Sequence, residues 1–188
     1  MSVQYDNLIA KNSNKSTLDN IATIESGKRP NNIVDNYNVF NHVPVIGASK
    51  IMGYTDQMLS DVQCLIIGRV GTHGIVQRFN EEIWPSDNTL IIKSNNYEFV
   101  YQVLKRIDYA LINRGSTQPL ITQTDIKNTS IILPSIKTMK DYEDIVFPIT
   151  KAIENNEEEI VKLVRIRDVL LPKLMSGEID VSNLDLSN

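Results

Sequence analysis

The chain has 188 residues, 41% apolar and 22% charged, and 19 Lys and Arg against 23 Asp and Glu leave a net charge of −4. That length suits one globular domain, or a domain with an appended element. The charge balance excludes a basic tail or a uniformly basic surface, so any nucleic-acid contact must be a local cluster. A single cysteine, Cys64, excludes an intrachain disulfide and fits a reducing compartment. With only His42 and His73 beside it, the ligand pairs of a structural zinc site are missing. The first twenty residues are polar and mixed in charge, and no apolar run approaches the roughly 18 residues that span a bilayer. A cytoplasmic chain without signal peptide or membrane span is expected.

In chain order, Gly27-Lys28-Arg29-Pro30 reads as a turn, and Gly47 and Gly53 frame Lys50 in tight turns between strands. Val62–Ile67 is a short apolar run entered from Ser60-Asp61 and ended by Gly68; Gly74–Phe79, Thr89–Lys93 and Thr129–Leu133 are similar β-branched stretches. Runs of that length bounded by Gly, Asn, Asp and Pro predict strands. Between them Phe99, Val103, Ile107 and Leu111 recur at four-residue spacing, predicting one helix closed by Asn113-Arg114-Gly115. The first segment is therefore expected to be a strand-rich α+β domain over residues 1–137.

The rest, 138–188, has another character. Residues 1–137 carry a net charge of +1 and residues 138–188 one of −5, so the acidity belongs to the C-terminal quarter. Val146, Ile149, Ile153, Asn156, Ile160, Leu163, Arg167, Leu170 and Leu174 follow a 3-4 spacing, the a/d seam of a coiled coil with two polar interruptions. Glu154, Glu157, Glu158, Glu159 and Lys162 lie on the opposite face. A helix from about Met139 to Leu171 is roughly 50 Å long, against a diameter of about 30 Å for the preceding domain, so its apolar stripe requires a partner. Pro148 is expected to kink it or begin a fresh turn, and Pro172 and Gly177 to mark its end. Asn156 either solvates a poor stretch of helix or pairs with its counterpart in a partner helix to fix register; the sequence leaves both open.

The search for chemistry is mostly negative. Gly68-Arg69-Val70-Gly71-Thr72-His73-Gly74 is followed by strand-like residues, which does not fit a dinucleotide fingerprint. Gly27-Lys28 lacks the Ser or Thr of a P-loop, and no Gly-x-Ser-x-Gly is present. Asp61 and Asp87 are read as turn formers, and His73 has no identifiable partner. The basic and amide-bearing turns are more informative: Lys28 and Arg29; Lys50; Arg69, Thr72, His73 and Arg78 around the glycine hairpin; Arg114, Ser116 and Gln118 in Arg-Gly-Ser-Thr-Gln-Pro. Such groups on rigid turns contact phosphates and read base edges.

These strings, in this order, resemble the specificity subunit of type I restriction-modification systems: one target recognition domain followed by one spacer helix. The resemblance is carried by Ile21–Pro30 (IATIESGKRP), Val43–Tyr54 (VPVIGASKIMGY), Asp61–Val76 (DVQCLIIGRVGTHGIV), Trp84–Ile91 (WPSDNTLI), Arg114–Pro134 (RGSTQPLITQTDIKNTSIILP) and Arg165–Val181 (RIRDVLLPKLMSGEIDV). It implies a non-catalytic reader of a bipartite double-stranded DNA target, whose two long helices act as a ruler. It also implies docking of methyltransferase subunits and, in a restriction complex, of ATP-driven motor nuclease subunits; S-adenosylmethionine, ATP and Mg belong to those partners. With one recognition domain and one helix, the chain is expected to form a homodimer through Val146, Ile149, Ile153, Asn156, Ile160, Leu163 and Leu170 and to read an interrupted palindrome. The rival readings are a fragment of a fused restriction–methyltransferase enzyme, an unrelated small-molecule enzyme using the glycine hairpin, or a non-functional coiled-coil scaffold.

Overall fold

A computed structural model gives the fold, and it describes residues 5–6, 14–71, 74–114 and 120–179. Two compact units emerge, Met1–Asp144 and Ile145–Asn188.

The N-terminal unit is built on three small sheets. Strands β2 (Thr23–Ser26), β8 (Thr89–Lys93), β5 (Cys64–Gly68) and β6 (Val76–Phe79) form an antiparallel sheet in the order β2-β8-β5-β6. Strands β4 (Ile51–Thr55), β3 (Val43–Ile46) and β7 (Trp84–Pro85) form a second, mixed sheet, and β1 (Lys15–Thr17) pairs with β9 (Ser130–Ile132) in a third. Every residue of β5 is buried, which explains its unbroken apolar run. Its Cys64 and Ile66 meet Ile46, Ile83 and Ile91 in one core cluster. Helix α1 (Tyr97–Arg106) packs on β5 and β6, with Phe99, Val100 and Leu104 fully buried.

The helix expected from Phe99 to Leu111 is in fact two. Helix α1 stops at Arg106, and α2 (Tyr109–Ile112) begins afresh after Asp108, whose carboxylate accepts the Ala110 N–H at 3.1 Å. An N-cap aspartate offers that N–H an alternative to the helical ladder, and so it breaks the apolar periodicity. A short helix α3 (Gln123–Lys127), not expected from the sequence, starts from a Thr122–Asp125 capping box.

Helix α4 (Ile136–Met175) is one uninterrupted element of 40 residues. Ser135 caps it, its hydroxyl accepting the Thr138 N–H at 3.1 Å. It outruns the expected limits at both ends and passes through Pro148 and Pro172. Each proline removes a single helical N–H, a loss the remaining ladder of so long a helix absorbs. The end comes where Gly177 takes φ 74°. Its first turns fall within the N-terminal compact unit, which ends at Asp144. Met139 and Tyr142 are buried, and Tyr142 stands edge-on to Tyr5 and Phe99. The Glu143 carboxylate accepts the Glu98 and Phe99 N–H groups at 3.1 and 2.8 Å, capping α1 from outside that helix. Burial pushes the Glu143 carboxyl above its ordinary range, against the pull of those two N–H groups.

Candidate nucleic-acid interface

Antiparallel registers decide which loops meet. Ser26 ends β2 opposite Leu90, Gly68 ends β5 opposite Thr89, and Val76 opens β6 opposite Ile67. Ile46 ends β3 beside Pro85. The segments leaving these strands, 27–30, 47–50, 69–71, 74–75 and 86–88, therefore emerge at one end of the unit.

Backbone hydrogen bonds stitch that end together. The Gly27 N–H donates to the Thr89 carbonyl at 3.1 Å and the Lys28 N–H to the Pro85 carbonyl at 3.0 Å. The Trp84 indole N–H donates to the Lys28 carbonyl at 2.7 Å. A Cβ at Gly27 would overlap the Ser86 carbonyl and lie 2.6 Å from that of Pro85, so only glycine permits this approach. The Ser86 N–H donates to the Ile46 carbonyl and the Arg69 N–H to the Asn88 carbonyl, both at 2.9 Å; the Arg69 carbonyl in turn accepts the Ile121 N–H. The Lys50 carbonyl accepts the Gly47 N–H at 2.8 Å, fixing the β3–β4 turn.

Four cations share this end: Lys28, Arg29 and Lys50 are exposed, and Arg69 is half-buried. Ion pairs among the described residues engage Arg78, Lys93, Arg106, Arg114, Lys151, Arg167 and Lys173 and leave these four without an acidic partner. Two buried polar atoms at the same end, Arg69 Nε and Ser86 Oγ, lack a hydrogen-bond partner, an uncommon and costly condition. The arrangement can accept anionic oxygens without first breaking an internal salt bridge.

Two of the expected contact residues are used otherwise. Arg78 belongs to the interior: its guanidinium donates to both Glu98 oxygens at 2.8 and 2.6 Å, with the Glu98 side chain 1% exposed, and lies 3.8 Å from the Tyr101 ring centroid. It sits mid-strand on β6 opposite Leu65, not at the loop end, so it is withdrawn from the contact set. Arg114 remains largely exposed but is clasped to Asp125, donating from Nε at 2.8 Å. Burial acts to raise the Asp125 carboxyl, yet hydrogen bonds from the Thr122 hydroxyl and N–H and the Arg114 guanidinium hold it below the ordinary carboxylate range. Thr72, His73, Ser116 and Gln118 lie outside the described residues. Sequence reasoning missed Ser86 and Asn88 as the loop's anchors and Asp125 as the partner of Arg114; the Thr-x-x-Asp spacing before an isoleucine was the readable signal for the last.

On α4 the seam divides. Val146 is fully buried, on the same face as Met139, Tyr142 and Thr150, and so cannot serve a partner helix as expected. Ile149, Ile153, Asn156, Ile160, Leu163 and Leu170 are exposed. Among the described residues no group of three His, Cys, Asp or Glu side chains could hold a metal ion, and no helix is long and apolar enough to cross a membrane.

The chain is similar to proteins of one family. The family described as "Type I restriction modification DNA specificity domain" matches residues 10–164. A specificity subunit of the type I restriction enzyme MjaIX from Methanocaldococcus jannaschii is 39% identical over 82 residues, which are 44% of this chain and 18% of that one. Among solved structures, the S subunit of a type I restriction-modification system from M. genitalium matches with a TM-score of 0.69 at 17% identity, over 87% of this chain and 46% of that one. The HsdS subunit of Thermoanaerobacter tengcongensis matches with a TM-score of 0.54 at 15% identity, over 94% and 51%. The chain thus spans about half the length of these solved relatives.

Proposed function

The chain belongs to the type I restriction-modification DNA specificity family, and we propose from that premise that it reads double-stranded DNA through the loop end bearing Lys28, Arg29, Lys50 and Arg69. The observation that carries this reading is the gathering of four cations without acidic partners on turns locked by backbone hydrogen bonds, in a chain whose net charge is −4. The lysines and arginines hold phosphates, and Arg69, half-buried at the same end, supplies a guanidinium for a phosphate or a base edge. Arg114 joins them only if it leaves Asp125, and Thr72, His73, Ser116 and Gln118, expected from the sequence, complete the proposed set.

The chain itself carries out no chemistry in this account. It directs methyltransferase subunits, and in a restriction complex motor nuclease subunits, to the target within the cytoplasm; S-adenosylmethionine, ATP and Mg serve those partners. The exposed positions of α4 from Ile149 to Leu170 support pairing with the helix of a second copy, which would set two recognition units a fixed distance apart on an interrupted palindrome.

Binding to a random-sequence duplex across a salt series tests the reader. Each phosphate contact contributes about 0.9 to the slope of log K against log salt, so Lys28→Ala and Arg29→Ala should each flatten it by about that amount. A native slope near zero, or one that neither substitution changes, would contradict the assignment.

A further inference from the structure

Arg114 stands beside the basic loop end, although its charge is already answered within the fold. Its N–H donates to the Leu120 carbonyl at 3.0 Å, and Leu120 forms an antiparallel bridge with Val70, the residue after Arg69. These two backbone steps, about 5 Å each, place Arg114 about 10 Å from Val70. The following N–H, that of Ile121, donates to the Arg69 carbonyl at 2.9 Å and secures the same junction. The Arg114 side chain is 63% exposed, whereas that of its partner Asp125 is 7% exposed.

The carboxylate is fixed independently of the arginine. Asp125 Oδ2 accepts the Thr122 N–H at 2.9 Å and the Thr122 hydroxyl at 2.6 Å, in the capping box that opens α3. The Gln123 side-chain amide ties that helix to the Ile24 carbonyl of β2, the strand that leads into Gly27 and Lys28. Oδ1 accepts from Arg114, at 2.8 Å from Nε and 2.5 Å from Nη2. This side-on contact occupies one edge of the guanidinium, which carries five N–H donors in a planar fork. The other three, two on Nη1 and one on Nη2, have no acceptor among the described residues. One from each nitrogen lies side by side at the free end of the group.

A guanidinium held in this way suits one kind of acceptor. The Asp125 carboxyl lies below the ordinary range and is ionised at neutral pH, so the pair carries no net charge. A phosphate gains little from such a pair, and Arg114 would have to leave Asp125 to clamp one. A neutral base edge is different, because that contact depends on the direction of two parallel N–H groups. Guanine O6 and N7 are spaced to receive them, and a side chain ordered in advance loses less freedom on binding. We propose that Asp125 is a positioning residue that holds Arg114 side-on, so that its Nη1–Nη2 end reads a guanine in the major groove of the target. The inference rests on the DNA-reading function above and deepens it by assigning a base.

The test is selection of duplexes from a random-sequence pool by the full chain, repeated with variants of the pair. The native chain should favour guanine at one position by about tenfold. Arg114→Ala should abolish that preference, spare the other positions, and lower affinity for the selected duplex about tenfold. The salt slope should shift by well under the roughly 0.9 of a phosphate contact. Asp125→Asn should weaken the preference at the same position, as should Thr122→Val, which removes the hydroxyl bracing Oδ2 and leaves both charges in place. Adding Asp125→Asn to Arg114→Ala should change the preference no further, because Asp125 acts through Arg114. A guanine preference that survives intact in Arg114→Ala or Asp125→Asn overturns the proposal. So does tighter binding in Asp125→Asn, which would make the carboxylate a competitor of the DNA. A slope flattened by about 0.9 in Arg114→Ala overturns it as well, since Arg114 would then be a phosphate contact. If the native chain enriches no sequence, the DNA reading itself is defeated; if it enriches one that neither Arg114→Ala nor Asp125→Asn alters, only this inference is.

Discussion

The guanidinium of Arg78 faces a carboxylate that is 1% exposed and a tyrosine ring 3.8 Å away, so removing it strands a buried negative charge. Breaking such a pair costs about 3–5 kcal/mol. Arg78→Ala should therefore lower the unfolding free energy by about 3 kcal/mol in a urea titration, whereas Lys28→Ala should stay within about 0.5 kcal/mol of the native chain. Equal stability losses would show the two cations to be equivalent. In sequence both were simply basic residues near glycines; nothing local marks Arg78 as buried, because Glu98 is 20 residues away on a helix. Asp125 sets a pH dependence of known sign. Its folded pKa is depressed, so the stability it contributes is present above its unfolded value, about 3.9, and is lost as pH falls through the folded value. The urea midpoint of the native chain should drop on acidification below pH about 4, and part of that drop should vanish in Asp125→Asn. An identical acid response in both would exclude the clasp with Thr122 and Arg114.

Elements differ in how far the sequence exposes them. Strands β5 and β8 are legible because burial on both faces writes a continuous apolar run. Strand β9 (Ser130–Ile132) shows in the β-branched run 129–133, but its partner β1 (Lys15–Thr17), more than a hundred residues away, is a polar triplet that no local pattern encodes. The apolar spacing of α1 continues past its true end, and only the aspartate at 108 signals the break. Helix α4 was legible from its 3-4 spacing, but its first seam position was not, since Val146 belongs to a buried face that shares the same period. If the exposed stripe pairs with a second copy, Leu163→Asp should convert a dimer to a monomer in sedimentation, with the strand-rich unit still folded by circular dichroism; an unchanged sedimentation coefficient would remove α4 from the interface. The Gly27 turn makes a similar demand. In Gly27→Ala the Lys28–Arg29 loop must part from Pro85 and Ser86, so DNA affinity should fall together with stability, and undiminished binding would show the loop's position to be unimportant.

At the scale of the whole molecule, a net charge of −4 conceals a division of labour. Most arginines and several lysines are neutralised by partners within the fold, and four cations without an acidic partner, Lys28, Arg29, Lys50 and Arg69, lie where strand registers bring the loop ends together. The basic turns were readable in the sequence; which of their cations stay without a carboxylate was not, because that depends on pairings made in three dimensions. The central claim is that this end of the chain chooses the DNA sequence on which a methyltransferase acts. Mapping methyladenine across the genome of a host that expresses the chain with its methyltransferase subunit, compared with the subunit alone, tests it most directly. The account predicts new methyladenine in one interrupted palindrome, lost when Lys28, Arg29 and Lys50 are replaced together by alanine; methylation unchanged by the presence of the chain, or confined to a site with two unlike halves, would contradict it.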